Sequence, residues 1–444
     1  MATLWNKGTS CTAEVERFTV GKDRELDLRL ASYDVKGSMA HIRMLNKAGL
    51  LPDSELQELL SALEGILGNI ERGEFVIEDN VEDIHSQIEL LLTRMLGETG
   101  KKIHAGRSRN DQVLTDIKLF LKDEILGIRE ETLALFRQLQ ELSDRYSDVM
   151  LPGYTHFQIA MPSSFGLWFG AYAEALVNDM HALKGAYDVV NRNPLGSAAG
   201  YGNSFPLDRE YTTELLGFAS PDYNSVAAQL SRGKAELATA GALGCIALTI
   251  NKLASDCCIY MCPNFGFISF PDELTTGSSI MPHKKNPDVW EIMRGECNRI
   301  MSVYNEIALL CGNLPHGYHR DSQLLKEILF PSLEKMHECL QMATYMLGNV
   351  KVNGNILSSS LYENMFTVEE VNRRTLEGVP FRDAYRQVGI EVNRGKFHYG
   401  NGSVADIRPS SLGHTHCGSL GNLCNDRIAR LMNDASSGWQ GMQE

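Results

Sequence analysis

Proline is scarce in this chain, 14 in 444 residues, and tryptophan scarcer still at 4. Long stretches therefore contain nothing that forbids an α-helix, since proline is the residue that removes a backbone donor and breaks one. Runs of alternating β-branched residues are also missing, which argues against a sandwich or barrel. Positive charge is in deficit: 42 Lys and Arg face 56 Asp and Glu, a formal net charge of −14. Such a chain is a poor partner for nucleic acid or an anionic membrane, and an acidic metabolite would have to find a local cationic pocket. The ten cysteines show no paired spacing, so a reduced, disulfide-free protein is expected. Cys245, Cys257, Cys258 and Cys262 lie within or beside apolar helical sequence, where a free thiol behaves as a small hydrophobe. The longest apolar run, ATAGALGCIALTI (238–250), stops at Asn251 and Lys252. That is short of the roughly 20 residues of a membrane span, so a buried core helix is expected. The opening MATLWNKGTS has no apolar signal core and no Arg-rich amphipathic pattern, which makes the expected location cytoplasmic.

What is present is helical periodicity. After Pro52, DSELQELLSALEGILGNI aligns Leu56, Leu59, Leu60, Leu63, Ile66, Leu67 and Ile70 on one stripe. Asp53 or Ser54 is expected to cap it, with Ser54 and Gln57 as a capping box. NVEDIHSQIELLLTRML repeats the stripe through Val81, Ile84, Ile88, Leu91 and Met95, and a longer proline-free segment runs from 111 to 146 with Gly127 inside it. The stretch 225–260 is rich in Ala and Gly and apolar on every side, as befits the centre of a bundle or a subunit interface. Further helices are expected near 288–312, 322–349 and 361–377. The reading is all-α, built on long helices. Breaks near ETGKKIHAGRSRN (98–110) and GNVKVNGNILSSS (348–360) divide the chain into an N-terminal helical domain, 1–107, a central long-helix domain, 108–358, and a small C-terminal domain, 359–444.

Chemistry concentrates in GSSIMPHKKNP (277–287). Pro282 and Pro287 exclude a continuous helix and Gly277 permits a sharp turn, so the segment is a loop. Ser278, Ser279, Lys284, Lys285 and Asn286 crowd donors there, a set suited to developing negative charge. A P-loop would need glycine where His283 stands. The Ser-x-x-Lys pairing and the Gly-x-Ser-x-Gly elbow are both absent. On residue chemistry alone, a solvated polar linker with incidental lysines fits as well.

The loop resembles the G-S-S-x-M-P-x-K-x-N-P signature of the fumarase/aspartase superfamily, whose members cleave C–N or C–O bonds to release fumarate. EDIHSQIE (82–89), HAGRSRNDQV (104–113), GYTHFQIAMP (153–162), NPLGSAAG (193–200) and GYHRDSQLLKE (317–327) follow in the expected places. With LWNKG (4–8) and DVKGSMAH (34–41) they are similar to the argininosuccinate lyase branch, AGRSRNDQ being the discriminating piece. The resemblance implies three mostly helical domains and a homotetramer whose long helices form a twenty-helix bundle, with active sites shared between subunits. It also implies reversible β-elimination of argininosuccinate to L-arginine and fumarate through a Cβ carbanion, without cofactor or metal. Another N-substituted aspartate is the alternative substrate. By the same resemblance Ser278 is the base, supported by Lys284 and loop amides, and His156 pairs with Glu291 in a His–carboxylate relay. Thr155, Ser108, Arg109, Asn110 and Asn286 would bind substrate carboxylates. Tyr318, Gln323 and Lys326 would meet the amino-acid end, with Asp83 near them. At the start of the long helix, Ser108 and its neighbours equally suit an N-terminal cap. His414, His416 and Cys417 in GHTHC, and His85 between Glu82 and Glu89, lack the paired ligand spacing of a zinc site.

Four positions depart from the branch's pattern. Asp23 stands where many members carry serine, Ala227 and Gly233 replace aspartates, and Tyr385 takes the place of a histidine-bearing motif. These bear on substrate contacts near 23 and on a core or interface contact near 227–233.

Overall fold

A computed structural model describes residues 12–400 and 402–440, which leaves LWNKG outside the described residues. The chain opens with α1 (Ala13–Val20) and α2 (Asp23–Asp27), then α3 (Ala31–Lys47), α4 (Asp53–Glu71), α5 (Ile84–Leu96) and the short α6 (Glu98–Lys101). The central part consists of α7 (Arg109–Arg145), a hairpin of β1 (Met150–Thr155) and β2 (Gln158–Ser164), and α8 (Phe165–Val190). It continues through β3 (Arg192–Asn193), α9 (Arg209–Leu215), β4 (Ser220–Pro221), α10 (Ser225–Leu230), α11 (Lys234–Met261), β5 (Ile268–Ser269), α12 (Asp288–Cys311) and α13 (Leu325–Gly348). β6 (Lys351–Val352), α14 (Thr367–Leu376), α15 (Phe381–Asn393) and α16 (Asn425–Ser436) complete it. The protein is mainly helical, as its proline and strand deficits imply.

Three clusters of buried apolar residues organise the chain. The largest joins α7, α8, α11, α12 and α13, and takes in Val404, Ile428, Met432, Ala435 and Trp439 from the C-terminal segment. A second lies among α3, α4 and α5, and a third is a small cluster of Val371, Ala384, Val388 and Phe397 in the α14–α15 pair. Ile246, Ile250 and Leu253 of α11 are fully covered. Each such residue contributes about 1.5–3 kcal/mol through the apolar area it removes from water. By length and composition α11 could cross a membrane, contrary to the run-length argument, yet it packs here against α8, α12 and α13 as the core helix expected.

Four local expectations need correction. α4 is capped by neither Asp53 nor Ser54: Pro52 occupies the cap position without a side-chain bond, and Asp53 instead accepts a hydrogen bond from Asn46. α5 begins at Ile84, not Val81, because Asp83 caps it by accepting from the Ser86 N–H. The 225–260 stretch is two helices. Gly233 separates them at φ +79°, and a Cβ there would lie 2.5 Å from Cys311 Sγ. Strand is also present: the β1–β2 hairpin, two two-residue ladders, β3–β4 and β5–β6, and isolated bridges. α7 and α13 lie side by side. His337 of α13 reaches across Gly127 to bond Glu131 at 2.7 Å and approach Glu124 at 3.3 Å, and a Cβ on Gly127 would come within 3.1 Å of its ring.

Candidate active site

The site is built from three separate supports. The first is the 277–287 loop, which leads into α12. An antiparallel bridge between Thr276 and Asn286 closes its base, and the Asn286 side chain donates to the Gly277 carbonyl at 3.3 Å. Within the loop, Ser278 Oγ accepts from the backbone N–H groups of Ile280 and Met281, at 3.3 and 3.2 Å. Two amides on one hydroxyl oxygen favour negative charge on it. Lys285 pairs with Asp272, while Lys284 has no ion pair among the described residues. Glu291 is exposed on the first turn of α12.

The second support is the hairpin. β1 and β2 pair from Met150↔Ser164 to Thr155↔Gln158, which leaves His156 and Phe157 as a two-residue turn. Both have positive φ, 53° and 57°. Tight hairpins favour this conformation because it matches strand twist, but it normally calls for Asn or Gly. Thr155 and His156 are thus held at an exposed tip. Within the chain His156 and Glu291 share no hydrogen bond, and neither bonds to Ser278 or Lys284, among the described residues.

The third support is a junction of chain segments distant in sequence. Ser108 caps α7: its Oγ accepts from the Asn110 N–H, and its own backbone N–H donates to the Asp111 carboxylate. Arg109 donates to Asp83 Oδ2 at 2.8 Å and to Ser86 Oγ at 2.6 Å. Burial raises the Asp83 pKa, but His85, Arg109 and the Ser86 bonds more than offset this and hold the carboxyl below its usual range. Lys326 is buried and lies 2.5 Å from both Asp23 and Asp27. Burial opposes its charge, and the two carboxylates outweigh that, raising its pKa. Gln323 is spent on the Thr19 and Val20 carbonyls, each at 3.0 Å, whereas Tyr318 remains 39% exposed. Arg109 to Asp83, Ile84 N–H to Asp27, and Asp27 to Lys326 link α7, α5, α2 and α13 in series, with Ser108 and Asn110 beside Arg109, while Gln323, in the turn before α13, is tied to α1.

Sequence reasoning missed the group beneath that junction. His85 Nδ1 lies 2.9 Å from Asp34 and 3.4 Å from Asp116, all three buried, and Gln112 donates to Asp34 at 2.6 Å. Burial and the neighbouring Asp34 raise the Asp116 pKa well above the carboxylate range, while Asp34 and Asp83 outweigh burial and raise that of His85. The trio is the one set with metal-ligand proximity among the described residues. His85 Nδ1, however, is already hydrogen-bonded to Asp34, so a cation would have to displace that bond. Asp34 and Asp116 are 82 positions apart (116 minus 34), and no local spacing could have paired them. Of the other candidates, His414 bonds Glu369 and His416 the Cys417 carbonyl, so GHTHC does not converge.

Comparison with known proteins adds the chemistry. A family model described as Lyase matches residues 15–302. An argininosuccinate lyase from Phocaeicola vulgatus is 56% identical over 436 residues, covering 98% of this chain and 96% of its own. The argininosuccinate lyase of Bacteroides thetaiotaomicron is 55% identical over 443 residues, covering 99% and 97%. Among solved structures, an EDDS lyase in complex with formate superposes with a TM-score of 0.76 at 21% identity, covering 96% of this chain and 90% of that one, a likeness of fold.

Proposed function

The chain belongs to the argininosuccinate lyase family of the fumarase/aspartase superfamily, and from that premise we propose how its residues divide the work. It is a carbon–nitrogen lyase of arginine biosynthesis, acting on argininosuccinate to give L-arginine and fumarate. Ser278 removes the Cβ proton. A serine is a weak base unless its alkoxide is stabilised, and the Ile280 and Met281 amides on Ser278 Oγ are the observation that carries this assignment. Lys284 adds positive charge, and Asn286, Thr155, Ser108 and Asn110 hold the carboxylates as the carbanion's charge spreads onto one of them. His156, oriented by Glu291, serves the leaving nitrogen. Arg109, fixed by Asp83, shapes the same pocket, and Tyr318, Gln323 and Lys326 face the amino-acid end of the substrate.

Among the described residues the 277–287 loop and the hairpin share no hydrogen bond with each other, which supports active sites assembled from several subunits of a homotetramer with a twenty-helix bundle at its centre. We place the enzyme in the cytoplasm and divide it at residues 107 and 358. The proposed steps remove the Cβ proton, break the Cα–N bond with its electron pair passing to nitrogen, and protonate that leaving nitrogen; they call on no cofactor.

Ser278→Ala tests the assignment. Removing a positioned acid–base group costs about 10²–10⁴-fold in kcat, read as fumarate absorbance, while substrate still binds. A variant with unchanged turnover would remove Ser278 from the mechanism. One observation favours a second substrate: Lys326 is neutralised by both Asp23 and Asp27, a charge balance that suits a different N-substituted aspartate. Faster turnover of such a compound than of argininosuccinate would establish that alternative.

A further inference from the structure

We infer that Cys417 and Cys424 form a reversible dithiol–disulfide site at the entry to α16. Their sulfurs stand 3.0 Å apart. Cys417 is exposed and Cys424 partly so, whereas Cys257, Cys297 and Cys339 are buried between helices. The backbone between the two thiols is already closed. Gly418 N–H donates to the Asn422 carbonyl at 2.9 Å, Ser419 and Asn422 form a bridge, and Gly421 packs so tightly that a Cβ would meet the His414 carbonyl at 2.0 Å. Forming the bond therefore needs the sulfurs to close by about 1 Å, without rebuilding the loop. Cys424 is itself held in the left-handed region at φ 60°, an uncommon conformation for a residue with a side chain. Neighbouring bonds fix it there: Asn425 donates to Ser143 at 2.9 Å and to Asp144 at 2.6 Å.

The chemistry is thiol–disulfide exchange with a low-molecular-weight disulfide. The Cys417 thiolate attacks one sulfur of the reagent, forms a mixed disulfide and expels a thiolate. The Cys424 thiolate then attacks the Cys417 sulfur, closes the ring and expels the second. Two thiol protons leave, two electrons pass to the reagent, and one protein S–S bond replaces the reagent's. Arg427 Nη1, 3.7 Å from Cys417 Sγ, favours the thiolate, against the adjacent Cys424 thiol, which raises its pKa. Ile428, Met432 and Ala435 of α16 are buried in the main core, and Asn425 ties the start of that helix to the end of α7, so the ring would close directly beside this contact.

Oxidised glutathione is the probe. Incubating the full-length protein with it, then alkylating and mapping peptides, should show Cys417 and Cys424 losing reactivity together. The product should carry no glutathione, be lighter by two hydrogens and be reversed by dithiothreitol. In Cys424→Ser the same treatment should stop at a stable glutathione adduct on Cys417, with turnover of both untreated proteins equal. A persistent adduct on Cys417 in the parent protein, or alkylation of either cysteine unaffected by the reagent, would overturn the inference.

Discussion

At the scale of single residues, charge is arranged to be held away from water. Asp23 has its pKa pushed up to about 6, burial being the main cause and Lys326 the main counterweight. The folded protein thus keeps this proton up to about pH 6, whereas the unfolded chain releases it near 3.8. The contribution to stability is present below 3.8 and disappears as pH rises through 6. Asp23→Asn should therefore lose less stability than the parent between pH 4 and 6, a difference that thermal melts across that range would display. If Lys326 meets the substrate as proposed, KM for argininosuccinate should inflect near pH 6 in the parent and not in Asp23→Asn. An inflection that survives the substitution would assign it to another group. The capping role of Ser108 was legible in sequence because caps and boxes are local patterns. The doubled carboxylate on Lys326 was not, for it joins residue 326 to residues 23 and 27. Asp23 was visible in sequence only as a departure from the family's serine.

At the scale of elements, the long helices were readable from apolar spacing, and their interruptions were not. The break at Gly233 is enforced by a positive φ and by Cys311. Gly233→Ala should destabilise the protein by about 1–3 kcal/mol, the usual penalty for forcing atoms into a packed core, measurable by urea titration. A neutral result would mean the α10–α11 junction can shift as a unit. The hairpin escaped notice because its turn uses His156 and Phe157 rather than Asn-Gly, and because Pro152 and Pro162, paired across it, read as strand breakers. Between α7 and α13, hydrogen bonds to Glu124 and Glu131 raise the His337 pKa to about 9. Its stabilisation is complete below about pH 6.5 and is lost as pH rises through 9. His337→Gln should melt below the parent at pH 6 and alongside it above pH 9. A gap independent of pH would make the contact one of packing, not charge.

At the scale of the molecule, the all-α class followed from missing proline and strand patterns, and the reaction type from the resemblance of one eleven-residue loop to a family signature. Subunit association leaves a weaker trace in a single sequence: apolar residues that a monomer cannot cover. Leu248, Ile292, Leu309 and Tyr345 on α11, α12 and α13 are 47, 68, 81 and 56% exposed, and such residues would be covered by an interface along these helices. Light scattering should give a tetramer for active protein, and Leu309→Glu should lower both mass and turnover. Full activity in a monomer would refute the shared site. The contact of His337 with bare backbone at Gly127 has a different consequence, in descent rather than in stability. A lineage that keeps the imidazole can gain a methyl group at 127 only where the ring yields by a few tenths of an ångström, while one that exchanges it for a smaller side chain is released from that constraint. The two positions, 210 apart (337 minus 127), should vary in a correlated way, larger residues at 127 accompanying smaller ones at 337.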